Sequence, residues 1–134
     1  MPAHFLATLP NFLAYLATAI ALLAAFMAIY LYVTPYDEVA LIRANNTAAA
    51  ISLSGAVLGF ALPIANVIAH SDTLFDLAVW GVVAGIVQLL AWGLARVALP
   101  QLAEDIGAGR AAPAMFVAAL SLTIGLLNAA CMTY

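Results

Sequence analysis

The sequence predicts an all-α membrane protein with four transmembrane helices, arranged as two parallel two-helix repeats. Three observations carry this expectation. Hydrophobic residues make up 68% of the 134 and charged residues 7%, with a mean hydropathy of +1.16; a chain of this size cannot hide that much apolar surface from water. Between clusters of Pro, Asn and charged residues, the apolar runs approach the roughly 20 residues that cross a bilayer as helix, and the chain has room for four of them. The connections after the first and third runs share a plan, with Pro35, Asp37, Glu38 and Arg43 in one and Pro100, Glu104, Asp105 and Arg110 in the other.

The first span is expected from about Asn11 to Val33, with Phe12 and Tyr15 at one end and Tyr30 and Tyr32 at the other forming an interfacial belt. Thr34-Pro35-Tyr36-Asp37 then has the chemistry of a helix start: a Thr cap, a Pro in the first position, and acids near the positive end of the dipole. A short surface helix follows, carrying Val39, Leu41 and Ile42. Asn45-Asn46-Thr47 supplies caps for the second span, about Thr47 to Ala69, which contains Pro63 and closes at His70-Ser71-Asp72.

The third span is expected from about Phe75 to Leu94, with Trp80 and Trp92 near opposite ends and Arg96 beyond it. The segment ALPQLAEDIGAGR repeats the plan of the first connection. The fourth span, about Ala111 to Cys131, begins with Pro113, where a missing amide is tolerated, and Tyr134 is expected at an interface. Aligning Pro35 with Pro100 sets Leu41 on Ile106 and Ala49 on Ala114. Residues 1–134 are therefore read as one transmembrane domain, with repeat 1 over about 11–69 and repeat 2 over about 74–134, related by an axis along the membrane normal. The N-terminus lacks the basic region of a cleavable signal and is expected to be retained.

The net charge of −3 comes from six acids and three arginines, so there is no basic patch for nucleic acid. Cys131 is the single cysteine, which excludes an intramolecular disulfide and a cysteine-based zinc cluster. No cofactor is expected. Arg43, Arg96 and Arg110 all fall in or beside connections one and three; the positive-inside bias places those connections in the cytoplasm and both termini in the periplasm.

Within the spans no ionisable residue occurs at depth, and the first helix has only Thr18 as an interior polar group. That argues against a proton-coupled antiporter, because such relays are built on intramembrane carboxylates or histidines. The candidate polar residues between helices, or along a pathway, are Ser52, Asn66, Gln88, Ser121 and Asn128, with Thr123 in the same class. An amide facing acyl chains is costly, so these should face other helices or a wet cavity. Pro63 frees a backbone carbonyl that a neighbouring amide could satisfy.

Small residues at helical spacing, Gly55 and Gly59, Gly81 and Gly85, Ser121 and Gly125, predict close helix contacts. The acid pairs Asp37/Glu38 and Glu104/Asp105 are adjacent in sequence and are expected to cap helices rather than to converge for acid–base chemistry. Asp37, Glu38, Arg43, Asn45, Asn46, Arg96 and Arg110 form the cytoplasmic connections, a surface for partners. His4 and His70 are expected outside and solvated, and Cys131 as a packed side chain.

TPYDEVALIRANNTAAAISLSGAVLGFALP and the ending NAACMTY resemble the small bacterial inner-membrane proteins of the domain of unknown function 350 family, YjfL-like. In the second half the junction reads GRAAPA where such proteins often repeat Asn-Thr-Ala-Ala. The resemblance implies a multi-pass protein of the bacterial inner membrane, built from two copies of a two-span unit. It also implies an envelope-stress or polyamine-related setting, beside phage-shock-like remodelling proteins and glutathionylspermidine-synthase-like ligases. The expected function is an oligomeric, non-enzymatic membrane module surrounded by lipid, with a cytoplasmic membrane-stress protein as partner. The alternative is a small channel or transporter for ions or polyamines. An intramembrane enzyme would need a converging nucleophile, base or metal set.

Overall fold

The computed structural model describes residues 2–132, with side chains described from residue 6 onward; the His4 side chain and Tyr134 lie outside the described residues. The chain folds as α1 (Pro2–Val33), α2 (Glu38–Arg43), α3 (Thr47–His70), α4 (Leu74–Ala98), α5 (Leu102–Gly107) and α6 (Ala111–Cys131). The four long helices are each apolar enough and long enough to span a bilayer. The short α2 and α5 lie in the first and third connections.

Three boundaries differ from the sequence reading. α2 starts at Glu38 with Asp37 as its cap, not at Pro35 with Thr34 as its cap, because it is the Asp37 carboxylate that reaches the free Ala40 amide. α1 starts at Pro2 rather than Asn11 and carries Pro10 inside it. Pro10 lies beyond the first turn, so it leaves the Leu6 carbonyl without its helical amide, yet the helix continues through it. α4 continues past Leu94 to Ala98, because Arg96 faces outward and lays its guanidinium over the Trp92 ring, 5.1 Å from the centroid. One helical turn separates the two residues, so the cation rests on the helix's own aromatic face.

The helix ends use the short polar residues the sequence supplies. Asp37 Oδ1 accepts from the Ala40 amide (3.2 Å), Asn46 Oδ1 from Ala49 (3.0 Å) and Thr73 Oγ1 from Asp76 (3.1 Å), each satisfying an otherwise orphaned donor. After α2 the chain turns on Asn45, at φ 67°, and after α5 on Gly109, at φ 80°; both are residue types that enter the left-handed region cheaply.

The closest packed pair is α3 with α6. A methyl group at Gly55 would overlap the Ala118 backbone, one at Gly59 would overlap Ser121, and one at Gly125 would overlap Gly59. The carbonyl left without its helical amide by Pro63 is that of Gly59. It is met not by a side-chain amide, as the sequence suggested, but by the bare Cα of Gly125, a carbon-donor contact that only a glycine's approach allows. Gly81 likewise admits Leu22 of α1. Gly85 departs from the expectation: a methyl there would meet the Phe26 and Phe60 rings at an ordinary 3.7 Å, because two aromatic side chains already hold the helices apart.

α1 is attached along a narrow seam. Phe26 stacks on Phe60 of α3 at 4.5 Å between centroids with 3° between planes, Tyr30 is buried behind it, and Tyr15 Oη donates to the Ser71 carbonyl at 3.4 Å. Only 6% of its span is buried inside the protein, against 50% for α3.

Candidate functional site at the arginine-bearing end

Connections one and three meet at one end of the bundle. Asn46 joins them: while its Oδ1 caps α3, its Nδ2 donates to the carbonyls of Ile106 (2.9 Å) and Gly107 (3.4 Å) in α5. One amide thus closes the start of a spanning helix and the end of the other connection. Arg43, Arg96 and Arg110 cluster at this end, all on exposed positions, with Arg110 paired to Asp105 at 3.4 Å. Substituting Asn46 with Asp retains the acceptor and deletes the donor; with Ala both go. We expect Asn46→Asp to lose about 1 kcal/mol and Asn46→Ala about 2 kcal/mol, measured by denaturant titration of the detergent-solubilised protein.

The adjacent acids of this connection part company. Asp37 is exposed and caps α2, as expected. Glu38, in the first turn of α2, does not cap. It turns inward and is 1% exposed. Thr34, itself 5% exposed, donates to Glu38 Oε1 at 2.6 Å, while Glu38 Oε2 has no hydrogen-bond partner. The expectation that the pair serves only as caps is therefore wrong for Glu38. A helical first turn points successive side chains about 100° apart, and here the second of them faces the bundle.

Around that carboxyl stand other polar atoms in the same condition. The hydroxyls of Tyr30, Tyr36 and Ser52 and the indole N–H of Trp92 are all buried and make no short, well-directed hydrogen bond, but Ser52 stands within weak hydrogen-bonding reach of both phenols and the Trp92 N–H within reach of Tyr36. Both phenols also feel the Glu38 charge. Burial pushes the Glu38 carboxyl up from its ordinary 4.5 to about 7, partly opposed by the Thr34 hydrogen bond. Burial also raises the Tyr36 phenol, followed by the nearby Glu38 charge. Desolvation disfavours the charged form, so each group is held neutral to a higher pH.

The remaining sequence candidates are spread along the bundle. Gln88, 1% exposed, donates from Nε2 to the Ser121 carbonyl at 3.1 Å and ties α4 to α6, leaving Oε1 unpartnered. Asn66 donates to the carbonyls of Ala129 (2.9 Å) and Met132 (3.4 Å), holding the end of α6. Asn128 is half-buried with its Nδ2 unpartnered, and Thr123 returns its hydroxyl to Ala119 O of its own helix. Ser52 alone of this set belongs to the Glu38 cluster. His70 is exposed, its Nδ1 2.9 Å from Asn66 O, and Cys131 is exposed rather than packed.

Spacing alone does not mark Glu38 as the inward-facing acid. The turns after the two short helices carry the same hydrogen bonds: Asn45 to Ile42 O and Asn46 to Leu41 O in one, Gly109 to Ile106 O and Arg110 to Asp105 O in the other. The third connection has one residue fewer between its proline and its helix, so Ile42, not Leu41, answers to Ile106. That register sets Glu38 opposite Leu102, which is 0% exposed.

Comparison with known proteins follows the same outline. The model of the Domain of Unknown Function (DUF350) family matches residues 4–132. The chain belongs to the DUF350 family. The UPF0719 inner membrane protein YjfL of Escherichia coli strain K12 is 37% identical over 131 residues, covering 98% of this chain and 99% of that protein, and its counterpart in Escherichia coli O157:H7 matches equally. No solved structure matches. DUF350 thus supplies a membrane setting for the buried glutamate, in an uncharacterised family of inner membrane proteins with four apolar helices here.

Proposed function

We propose that this DUF350 chain is a non-enzymatic membrane module that self-associates and presents its arginine-bearing connections to a cytoplasmic partner in the response to envelope stress. The observation that carries the self-association is the sparse attachment of α1. Its two flanks border apolar crevices of about 150 Å³ toward Gly81, Val82 and Ile86 and about 200 Å³ toward Ala61, Ile64 and Ile68, shapes that a neighbouring helix fills better than loose acyl chains do. The three arginines at the connection end support a cytoplasmic placement of that end, with both termini periplasmic. The recurring turn hydrogen bonds of α2 and α5 support two copies of one unit. The envelope-stress setting follows from the family resemblance.

The midsection favours a module over a conduit within one chain, since Gly59 and Gly125 bring α3 and α6 into backbone contact. The Ser52 hydroxyl, Gln88 Oε1 and Asn128 Nδ2, buried without a short hydrogen bond, support a second reading, a channel or transporter for ions or polyamines wetted in an assembly of chains. Purified protein in mild detergent is expected to run as a multimer by light scattering and to leave liposomes tight to potassium, protons and spermidine. A monomer at all concentrations would sink the module, and saturable spermidine or ion flux would favour the second reading.

A further inference from the structure

At the end of the bundle opposite the arginines, α1 passes the last turn of α3 and leaves a crevice of about 370 Å³ between them, within the size range of small-ligand sites. Asn11, Ser71 and Asp72 give it a polar side, and Phe12, Tyr15 and Ile68 an apolar one. Tyr15 Oη ties the two helices there through the Ser71 carbonyl, at 3.4 Å. Ile68 also lines a second crevice, wholly apolar and about 200 Å³, which continues between the same helices past Ala65, Ala61 and Ala19 to Leu23. From Asn11 to Leu23 the two together follow about 18 Å of α1, close to the ~15 Å of hydrocarbon in one leaflet. A polar crevice at a helix end that opens onto an apolar groove one leaflet deep has the outline of a phospholipid, headgroup first and acyl chain below.

Charge selects the headgroup. Asp72 is exposed, and its carboxylate makes no hydrogen bond or ion pair with any described residue. Asp76, in the first turn of α4, accepts from Ser71 Oγ at 3.3 Å and adds a second acid beside it. The chain has no lysine, and its three arginines all stand at the other end. His70 is the other titratable side chain close by, and its ring lies against the Asn66 carbonyl. The crevice therefore repels an anionic headgroup and attracts an ammonium, which the aromatic faces of Phe12 and Tyr15 favour as well. Its acceptors narrow the choice further. The Asp72 oxygens, Asn11 Oδ1 and the second lone pair of the Ser71 carbonyl match the three N–H donors of a primary ammonium, whereas a quaternary ammonium has none to give.

We propose that this crevice binds an aminophospholipid, with the primary ammonium of an ethanolamine headgroup on Asp72 and Asn11 and one acyl chain in the groove between α1 and α3. A chain held by its headgroup fills that flank as loose lipid does not, and the flank of α1 toward Gly81 and Val82 is left for a neighbouring copy. The bound lipid supplies contact that α1 lacks, since only 6% of its span is buried inside the protein. Attachment of α1 thereby depends on the headgroup composition of the leaflet at this end.

The test is native mass spectrometry of the purified full-length chain, released from micelles containing equal amounts of palmitoyl-oleoyl phosphatidylethanolamine, phosphatidylcholine and phosphatidylglycerol. The ethanolamine lipid should be retained on the monomer about fivefold over the other two, the scale of one exposed ion pair. Asp72→Asn should bring it down to the level of the choline lipid, while Glu104→Gln, an exposed acid at the other end, should change nothing. Ala65→Leu, at an exposed position in the groove, should weaken retention of all three lipids alike, because it blocks the chain and not the headgroup. Equal retention of the three lipids by the unaltered protein overturns the proposal, as does an ethanolamine preference that survives Asp72→Asn. Displacement by equimolar soluble glycerophosphoethanolamine would assign the crevice to a free amine instead, and multimers that form only without lipid would place a second copy in the groove; either result also overturns it.

Discussion

Replacing Gly125 by valine is expected to disrupt the bundle more than any other single change in the spans. Even the first carbon of the new side chain would lie against the carbonyl oxygen, carbonyl carbon and Cα of Gly59. Backbone atoms of a packed helix cannot rotate away as a side chain's end can, so the strain is relieved only by moving α3 and α6 apart. That movement would also loosen the contacts of Gly55 with Ala118 and of Gly59 with Ser121. In lipid, helix association rests on such close packing because water-driven burial is absent. Overpacking costs typically about 1–3 kcal/mol, occasionally more; we expect the upper part of that range for Gly125→Ala and a larger loss for Gly125→Val. Gly85→Ala is the control, since its methyl meets Phe26 and Phe60 at 3.7 Å, and it should be nearly neutral. Reversible unfolding in mixed micelles measures all three, and a Gly125→Val protein as stable as Gly85→Ala would show that the α3–α6 seam is misread.

The second large effect is a pH dependence of stability centred on Glu38. Its carboxyl is raised from an ordinary 4.5 to about 7, so between those values the folded protein holds a proton that the unfolded chain has released. Stability is then greatest below about pH 4.5, falls as pH rises through that window and levels off above about 7. The full difference corresponds to about 3 kcal/mol at 1.36 kcal/mol per pH unit. Glu38→Gln should remove most of that slope. Glu38→Leu, which places in α2 what α5 has at Leu102, should be at least as stable as the unaltered chain at pH 8. Unfolding midpoints between pH 5 and 8 test this; a slope that survives in both variants would assign it to another group.

Much of the architecture was legible because bilayer thickness fixes helix length and composition reports it. The span from Thr47 needed only Asn46 before it and His70 after it to be bounded within a residue. The cap at Asn46 followed from a short polar side chain placed just ahead of an apolar run, whereas the cap of α2 was read three residues early, at Thr34 instead of Asp37. The reach of α1 back to Pro2 was not legible, since a proline early in a helix and a proline before one read alike. Gly85 shows the limit of spacing arguments: its separation from Gly81 suits close packing, but whether a glycine is used depends on what the facing helix presents, and here that is Phe26 and Phe60.

Glu38 marks the division most clearly. By itself the sequence determined that this chain lives in lipid, crosses with four apolar helices and gathers its arginines beside two connections, because each of those properties is a sum over many residues. It could not determine which of two adjacent acids would face inward. A single residue's difference in loop length rotates a short helix by about 100°, and only the tertiary structure decided that Asp37 meets solvent while Glu38 lies among buried hydroxyls, where desolvation gives one carboxyl a chemistry its neighbour lacks.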